Sequence, residues 1–410
     1  MIARAPDAHD YGKRRYPLRS WGFGLIDLLR VRAYDQAVWI PGCPRLGATF
    51  TKRGMMSIRR VFTVAASVAA LAALSQPLAA QQNQQQNRRD QERRSQAEQR
   101  DIQALVQMVD AVTAGKQPAP ADIQVSWVSN HFVRGVEGAT YIPFTLSVDG
   151  STMAAPATAL YVRAVSRAAA AAPAPAPEQN QNRRGNQPQA PMYPWDDIQF
   201  FDLQRDGSLS RAMMLKPGEY DLFIAVKERG PAEPQRNQPP AKSGLLRRTL
   251  TVPDFTGADL GISTPIIATA VEPMTTPLNA EDQRTNPYTF GGALRVVPSP
   301  DMKFKTSGEF LMVYWVYGQP ASGKPDVQIE YSFHHKTAEG EKYFNKAQPQ
   351  VFNASTLPPN FDFAAGHQLM SIFGVPLKSF PAGEYRVEFK ITDKRSGKTL
   401  TENATFFVES

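Results

Sequence analysis

The stretches KPGEYDLFIAVKE, Lys216 to Glu228, and PAGEYRVEFKITD, Pro381 to Asp393, decide the fold. In the second, Tyr385, Val387, Phe389 and Ile391 point one way and Arg386, Glu388 and Lys390 the other, which is the alternation of a half-buried strand. In the first, Tyr220, Leu222, Ile224 and Val226 hold the inward positions. Each strand follows an apolar residue, Leu215 or Phe380, and a Pro/Gly turn that reverses the chain. One more strand pattern follows each. A motif written twice, about one domain length apart, predicts two domains of one kind, with Tyr220 and Tyr385 as structural corners.

Working outward, the period is two nearly everywhere after Pro120. DIQVSWVSNHFVRG, TYIPFTLSVDG, TALYVRAVSR, DIQFFDL, SLSRAMML, EYDLFIAV and LLRRTLTV read as seven strands within 121–255. TPIIATAVEP, GGALRVVP, EFLMVYWVYG, DVQIEYSFHH, HQLMSIFGVPL, EYRVEFKITD and ATFFVES read as seven more within 256–410. The expected fold is all-β, two tandem antiparallel β-sandwiches. Two low-complexity insertions, 168–191 and 230–243, are rich in Ala-Pro or Pro and Gln and cannot join a sheet. With strands alternating in direction, they leave opposite ends of the first sandwich and form no joint site.

The N-terminal part is different in kind. The run SIRRVFTVAASVAALAALSQPLAA has a basic pair, Arg59 and Arg60, an apolar run from Val61 to Leu74 and small residues at Ala79 and Ala80, the layout of a signal peptide over 56–80. The run is short of the roughly 20 residues a spanning helix needs. Arg59-Arg60-Val61-Phe62 fits part of a twin-arginine signal, but Ile58 and Thr63 depart from it, so an ordinary signal is expected. Because a signal is read at an N-terminus, translation is expected to begin at Met55 or Met56, with 1–55 an upstream extension. Within 81–120, Gln81 to Gln99 is Gln, Asn and Arg, a tail expected to be disordered. A short amphipathic helix is expected over about 92–114, where Ile102, Leu105, Val106 and Val109 fall at helical spacing. It can dock on its own sandwich or on another protein.

Charge and cysteine follow the same division. The chain's net charge is +8, and residues 1–80 alone carry twelve Lys or Arg against four Asp. The exported remainder is neutral, which removes the case for nucleic acid as partner. Cys43 is the chain's one cysteine and lies upstream of the signal, so the remainder has no disulfide or thiolate site.

The L/F-x-x-G-x-Y turn into the penultimate strand resembles the corner of immunoglobulin-like and fibronectin-type-III-like domains, where a tyrosine hydroxyl ties back to nearby backbone. NPYTFGGALRVVPSPDMKF through FPAGEYRVEFKITDKRSGKTL is similar to uncharacterised exported bacterial proteins whose sandwich accompanies von Willebrand A-type or GWxTD-type domains. The resemblance is best over 256–410 and implies no catalytic residues.

No Gly-x-Ser-x-Gly elbow, phosphate loop, HExxH or EF-hand loop occurs. His334 and His335 are adjacent on a strand and face opposite ways, and His131 and His367 have no neighbours at ligand spacing. Asp196-Asp197, Glu339 and Glu341 read as solvated turn residues. No cofactor and no metal are expected. The strand EFLMVYWVY is apolar on both faces. With Leu311, Val313, Trp315 and Tyr317 filling the core, Phe310, Met312, Tyr314 and Val316 become an outer contact surface, covered by a partner or by another part of the chain.

The expectation is therefore an exported protein, periplasmic or extracellular and without a transmembrane anchor. It is expected to be non-catalytic and to use its sandwiches to bind protein or glycan or as an envelope scaffold. Two alternatives stand beside it: an enzyme or enzyme subunit with a loop-borne site between the domains, and an assembly component acting through its N-terminal helix.

Overall fold

The computed structural model describes residues 78–168, 193–233, 239–257, 259–318, 324–358, 361 and 367–410. Residues 1–77, which take in the expected upstream extension and most of the expected signal peptide, together with most of the first insertion and residues 234–238 of the second, lie outside them.

Helix α1 runs Leu78–Thr113. It is longer than the 92–114 reach expected from apolar spacing and takes in the Gln-rich stretch expected as a disordered tail. Gln, Arg, Glu and Ala are good helix formers, so a stretch without an apolar stripe can extend a helix nucleated downstream. Its end is a glycine cap. Gly115 sits at φ 67°, its N–H donates to Val112 O, and Lys116 N–H reaches back to Ala111 O at 2.8 Å.

The first set of strands is β1 (Val125–Asn130), β2 (Val133–Arg134), β3 (Thr140–Val148), β4 (Ala157–Ser166), β5 (Trp195–Asp202), β6 (Ser208–Leu215), β7 (Gly218–Glu228) and β8 (Ser243–Val252). One sheet has the order β1-β3-β2 with β6 also on β3, and the other β5-β4-β7-β8. Between them lie Ile142, Phe144 and Leu146 from one sheet and Leu160, Val162, Leu222, Ile224 and Val226 from the other.

The second set is β9 (Gly261–Ile262), β10 (Ile266–Pro273), β11 (Thr289–Phe290), β12 (Leu294–Pro298), β13 (Lys303–Lys305), β14 (Glu309–Gly318), β15 (Val327–Thr337), β16 (Gly340–Lys346), β17 (Gln350–Phe352), β18 (His367–Pro376), β19 (Gly383–Asp393) and β20 (Thr399–Glu409), with a short helix α2 (Ala280–Thr285) before β11. The sheets are β11-β12-β10-β14-β18 with β9, and β13-β20-β19-β15-β16 with β17. All pairings are antiparallel except β13 with β20. The fold is all-β and made of immunoglobulin-like sandwiches. The strands beyond the seven per repeat read from the sequence are short or polar edge pieces such as β13 and β16, which carry little apolar alternation.

The two corners are built alike. Gly218 and Gly383 have φ of 147° and 148°, backbone that favours glycine, which accounts for glycine at both positions. Tyr220 donates its hydroxyl hydrogen to Lys216 O at 2.9 Å and Tyr385 donates to Pro381 O at 2.8 Å. Each bond spans four residues and closes the turn.

Candidate functional site

The facing expected for β14 is reversed. Phe310, Met312, Tyr314 and Val316 are fully buried in the core of the second sandwich, against Ile329, Tyr331, Phe373, Phe389 and Phe406. They are not an outer contact surface. Tyr314 is tolerated inside because its hydroxyl meets Tyr331 Oη at 2.7 Å. Tyr331 in turn donates to Gln350 Oε1 at 2.6 Å and lies 3.1 Å from Ser371 Oγ. Gln350 closes the network by donating to Ile372 O at 2.9 Å. Burial raises the pKa of both phenols, so they remain neutral partners. A strand apolar on both faces carries no internal sign of which face is inward. Three strands remote in sequence supply the polar partners that decide it.

The opposite face of β14 bears the contact between the two sandwiches. Val313, Trp315 and Tyr317 form one apolar cluster with Ile266, Tyr288 and Val133, and Tyr141, Phe255 and Phe290 pack on it. Ring centroids lie 4.6 Å apart for Phe290 and Trp315 and 5.0 Å for Phe255 and Tyr317. Polar ends of the same residues are satisfied across the junction. Arg134 N–H donates to Tyr317 Oη at 2.8 Å, Tyr141 donates to Pro287 O at 2.7 Å, and His131 Nδ1 lies 3.0 Å from Tyr288 Oη. Backbone pairs Phe132 with Thr264, whose N–H donates to Phe132 O at 3.0 Å. His131 is 5% exposed, and burial lowers its pKa to about 4. Val313, Trp315 and Tyr317 are legible in the sequence as one apolar face, there expected in the core, and the residues they meet carry no signal, because a junction between two modules has no period of its own.

A second covered surface lies on the first sandwich. The outer residues Ala159 and Tyr161 of β4, Phe223 and Ala225 of β7 and Leu245 of β8 pack under Leu105 and Val109 of α1. Each such aliphatic side chain contributes about 1.5–3 kcal/mol on full burial. Buried charges frame the dock. Asp101 of α1 pairs with Lys227, both largely buried, and accepts from Gly230 N–H at 3.0 Å. Arg163 of β4 pairs with Asp110, donates to Tyr161 Oη at 2.7 Å and lies 3.9 Å from the Tyr193 ring centroid. Gly230, Pro231 and Ala232, in the second insertion, are thus tied to the helix.

The outer face of β15, β19 and β20 is open and polar. Arg386 is its centre, with Nη2 2.6 Å from Glu341 Oε1, Nη1 3.0 Å from Glu388 Oε2, and a further bond to Asn403. The guanidinium holds the Glu341 carboxyl below its usual range. Glu341 is therefore an ion-pair partner on a strand, not a turn residue as its sequence context suggested. His334 faces this cluster, while His335 stacks on Tyr385 at 4.5 Å, so the adjacent histidines do point apart. Tyr343 at 60% and Phe407 at 42% are the large exposed rings of this sheet. Among the described residues no group of three His, Cys, Asp or Glu is placed to hold a metal ion, and no helix is long and apolar enough to cross a membrane.

No family model and no curated protein sequence matches the chain. Among solved structures, trypsin-activated alpha-2-macroglobulin from Escherichia coli is similar at 8% identity and a TM-score of 0.19, over 72% of this chain and 17% of that one. The same protein activated by porcine elastase gives 9% identity and a TM-score of 0.18, over 72% and 22%. The chain spans less than a quarter of the length of either, and the fold assignment rests on the sheets described above.

Proposed function

We propose that the chain is an exported, non-catalytic binding or scaffold protein, whose two sandwiches hold a fixed relation to each other and offer sheet faces and edges to a protein or glycan partner. The observation that carries the reading is the shared apolar cluster of Val133, Tyr141, Phe290, Trp315 and Tyr317, closed by hydrogen bonds from both sides. Flexible tandem modules have small polar contacts, whereas an apolar, hydrogen-bonded junction resists relative motion. The basic-apolar-small layout at 56–80 supports export. Among the described residues these rings fill the contact between the sandwiches, which favours the scaffold reading over a site at that place. Among the described residues the apolar stripe of α1 packs on β4, β7 and β8, which favours an intramolecular role for the helix over an assembly role.

Small-angle scattering tests the reading. The wild-type chain is expected to fit one rigid arrangement of the two sandwiches. The Tyr141→Ala, Trp315→Ala double variant is expected to keep its β-sheet circular dichroism while its distance distribution broadens. A wild-type chain that already requires an ensemble of orientations overturns the rigid scaffold.

A further inference from the structure

The last strands of the two sandwiches, β8 and β20, occupy the same place in the fold, each beyond its corner strand at one side of its sheet. The free side of β8 is covered and charged. Leu245 N–H donates to Pro120 O at 2.9 Å, Ile123 N–H donates to Ser243 O at 3.2 Å, and the exposed Arg247 and Arg248 follow. Covering and basic residues are the usual protections of an edge.

β20 lacks both over most of its length. β13 covers it only at Phe407 to Glu409, where Phe407 N–H donates to Met302 O at 2.8 Å and Thr306 N–H to Glu409 O at 2.9 Å. Residues two apart present their backbone groups to the same side. Thr399, Thr401, Asn403 and Thr405 therefore turn their N–H and C=O groups to the uncovered edge, and all four residues are exposed. Among the described residues no strand pairs with them there. The strand has continuous, bulge-free register against β19 from Thr392↔Thr399 to Gly383↔Val408, and contains no proline, lysine or arginine.

One charge marks this edge. Glu402 lies half-buried on the inner side, opposite Phe389, and has no ion pair among the described residues. Two copies of the chain meeting antiparallel along 399–405 have to clear β13 and so centre on residue 402, which sets the two Glu402 side chains against each other. Like charges directly opposite destabilise a strand pair. A segment with a cation at that place gains where a second copy loses.

We propose that the edge from Thr399 to Thr405 accepts an extended segment of a partner protein as an added strand, with a lysine or arginine of that segment beside Glu402. Seven residues of strand span about 23 Å, and main-chain hydrogen bonds supply the recognition while the cation supplies selectivity. The inference deepens the binding part of the function proposed above. Its test is independent of the junction, so a flexible junction with peptide bound, or a rigid one without, separates the two.

The probe is an acetylated, amidated seven-residue peptide alternating threonine and valine with a central lysine, and its twin with a central glutamate. Nuclear magnetic resonance of the labelled chain is expected to show slowed amide exchange at residues 399, 401, 403 and 405 with the lysine peptide, and at least tenfold weaker binding of the glutamate twin. Asn403→Pro removes an edge-facing N–H that no strand uses, together with the Asn403 side-chain bond to Arg386, and is expected to abolish binding in a chain that still unfolds cooperatively. Glu402→Lys is expected to invert the preference between the peptides. Protection that survives Asn403→Pro, equal binding of both peptides, or no protection at millimolar peptide overturns the proposal. If Asn403→Pro does not fold, the Glu402→Lys inversion decides alone.

Discussion

The corner sheets of the two sandwiches share their strand order and their tyrosine turn, yet their outer faces are opposites. On β4 and β7 the outward residues Ala159, Tyr161, Phe223 and Ala225 are apolar and lie under α1. On β15 and β19 the outward residues are Gln328, Glu330, Ser332, His334, Arg386, Glu388 and Lys390, and no helix or second sheet among the described residues packs on them. Inner residues follow the fold in both. The outer residues follow what each sheet meets, so the same topology gives a two-sided core in one module and an open ion-pair lattice in the other.

The difference breaks most sharply three residues past each corner tyrosine. Phe223→Ala removes a ring held between the sheet and α1 and is expected to cost about 3–5 kcal/mol. Glu388→Ala, at the matching place, removes a half-exposed partner of Arg386 and is expected to cost under about 1 kcal/mol. Denaturant unfolding of both variants checks this. Similar losses mean that the helix does not seal the first face.

The junction between the modules adds a pH dependence of its own, set by a buried histidine rather than by the depressed Glu341 carboxyl of the open face. The pKa of His131 in the folded chain is about 4 against an ordinary 6.5. The unfolded chain thus binds the proton first as pH falls. Stability is full above about pH 6.5 and declines as pH falls toward 4, by on the order of 3 kcal/mol at most. His131→Asn is expected to flatten the slope of unfolding free energy over that window. An unchanged slope in the variant means that the buried imidazole is not its source.

The smallest effect tests what the modules share. Tyr220→Phe and Tyr385→Phe each remove one hydroxyl bond to a backbone carbonyl four residues back and are expected to cost about 1 kcal/mol apiece. Equal losses make the corner a property of the fold, indifferent to the outer face. A loss confined to one variant makes it a local feature of that sandwich.

The chain's own order determined much of this. Alternation after Pro120 and the doubled Gly-Glu-Tyr turn prescribe antiparallel sandwiches, because a period of two and a glycine at positive φ are local properties. The polar outer face of β15 and β19 was legible for the same reason. α1 extends back to Leu78 through Gln, Arg, Glu and Ala, a local helix propensity that the reading of a tail under-weighed. Two things were decided only by tertiary structure. Met312 and Tyr314 turned inward because Tyr331, Gln350 and Ser371, supplied by other strands, satisfy the hydroxyl of Tyr314 there. Trp315 and Tyr317 turned outward because the first sandwich brings Val133, Tyr141 and Phe255 to meet them. A strand apolar on both sides is equally content either way by itself, and only the groups that close over each side give its two faces different energies.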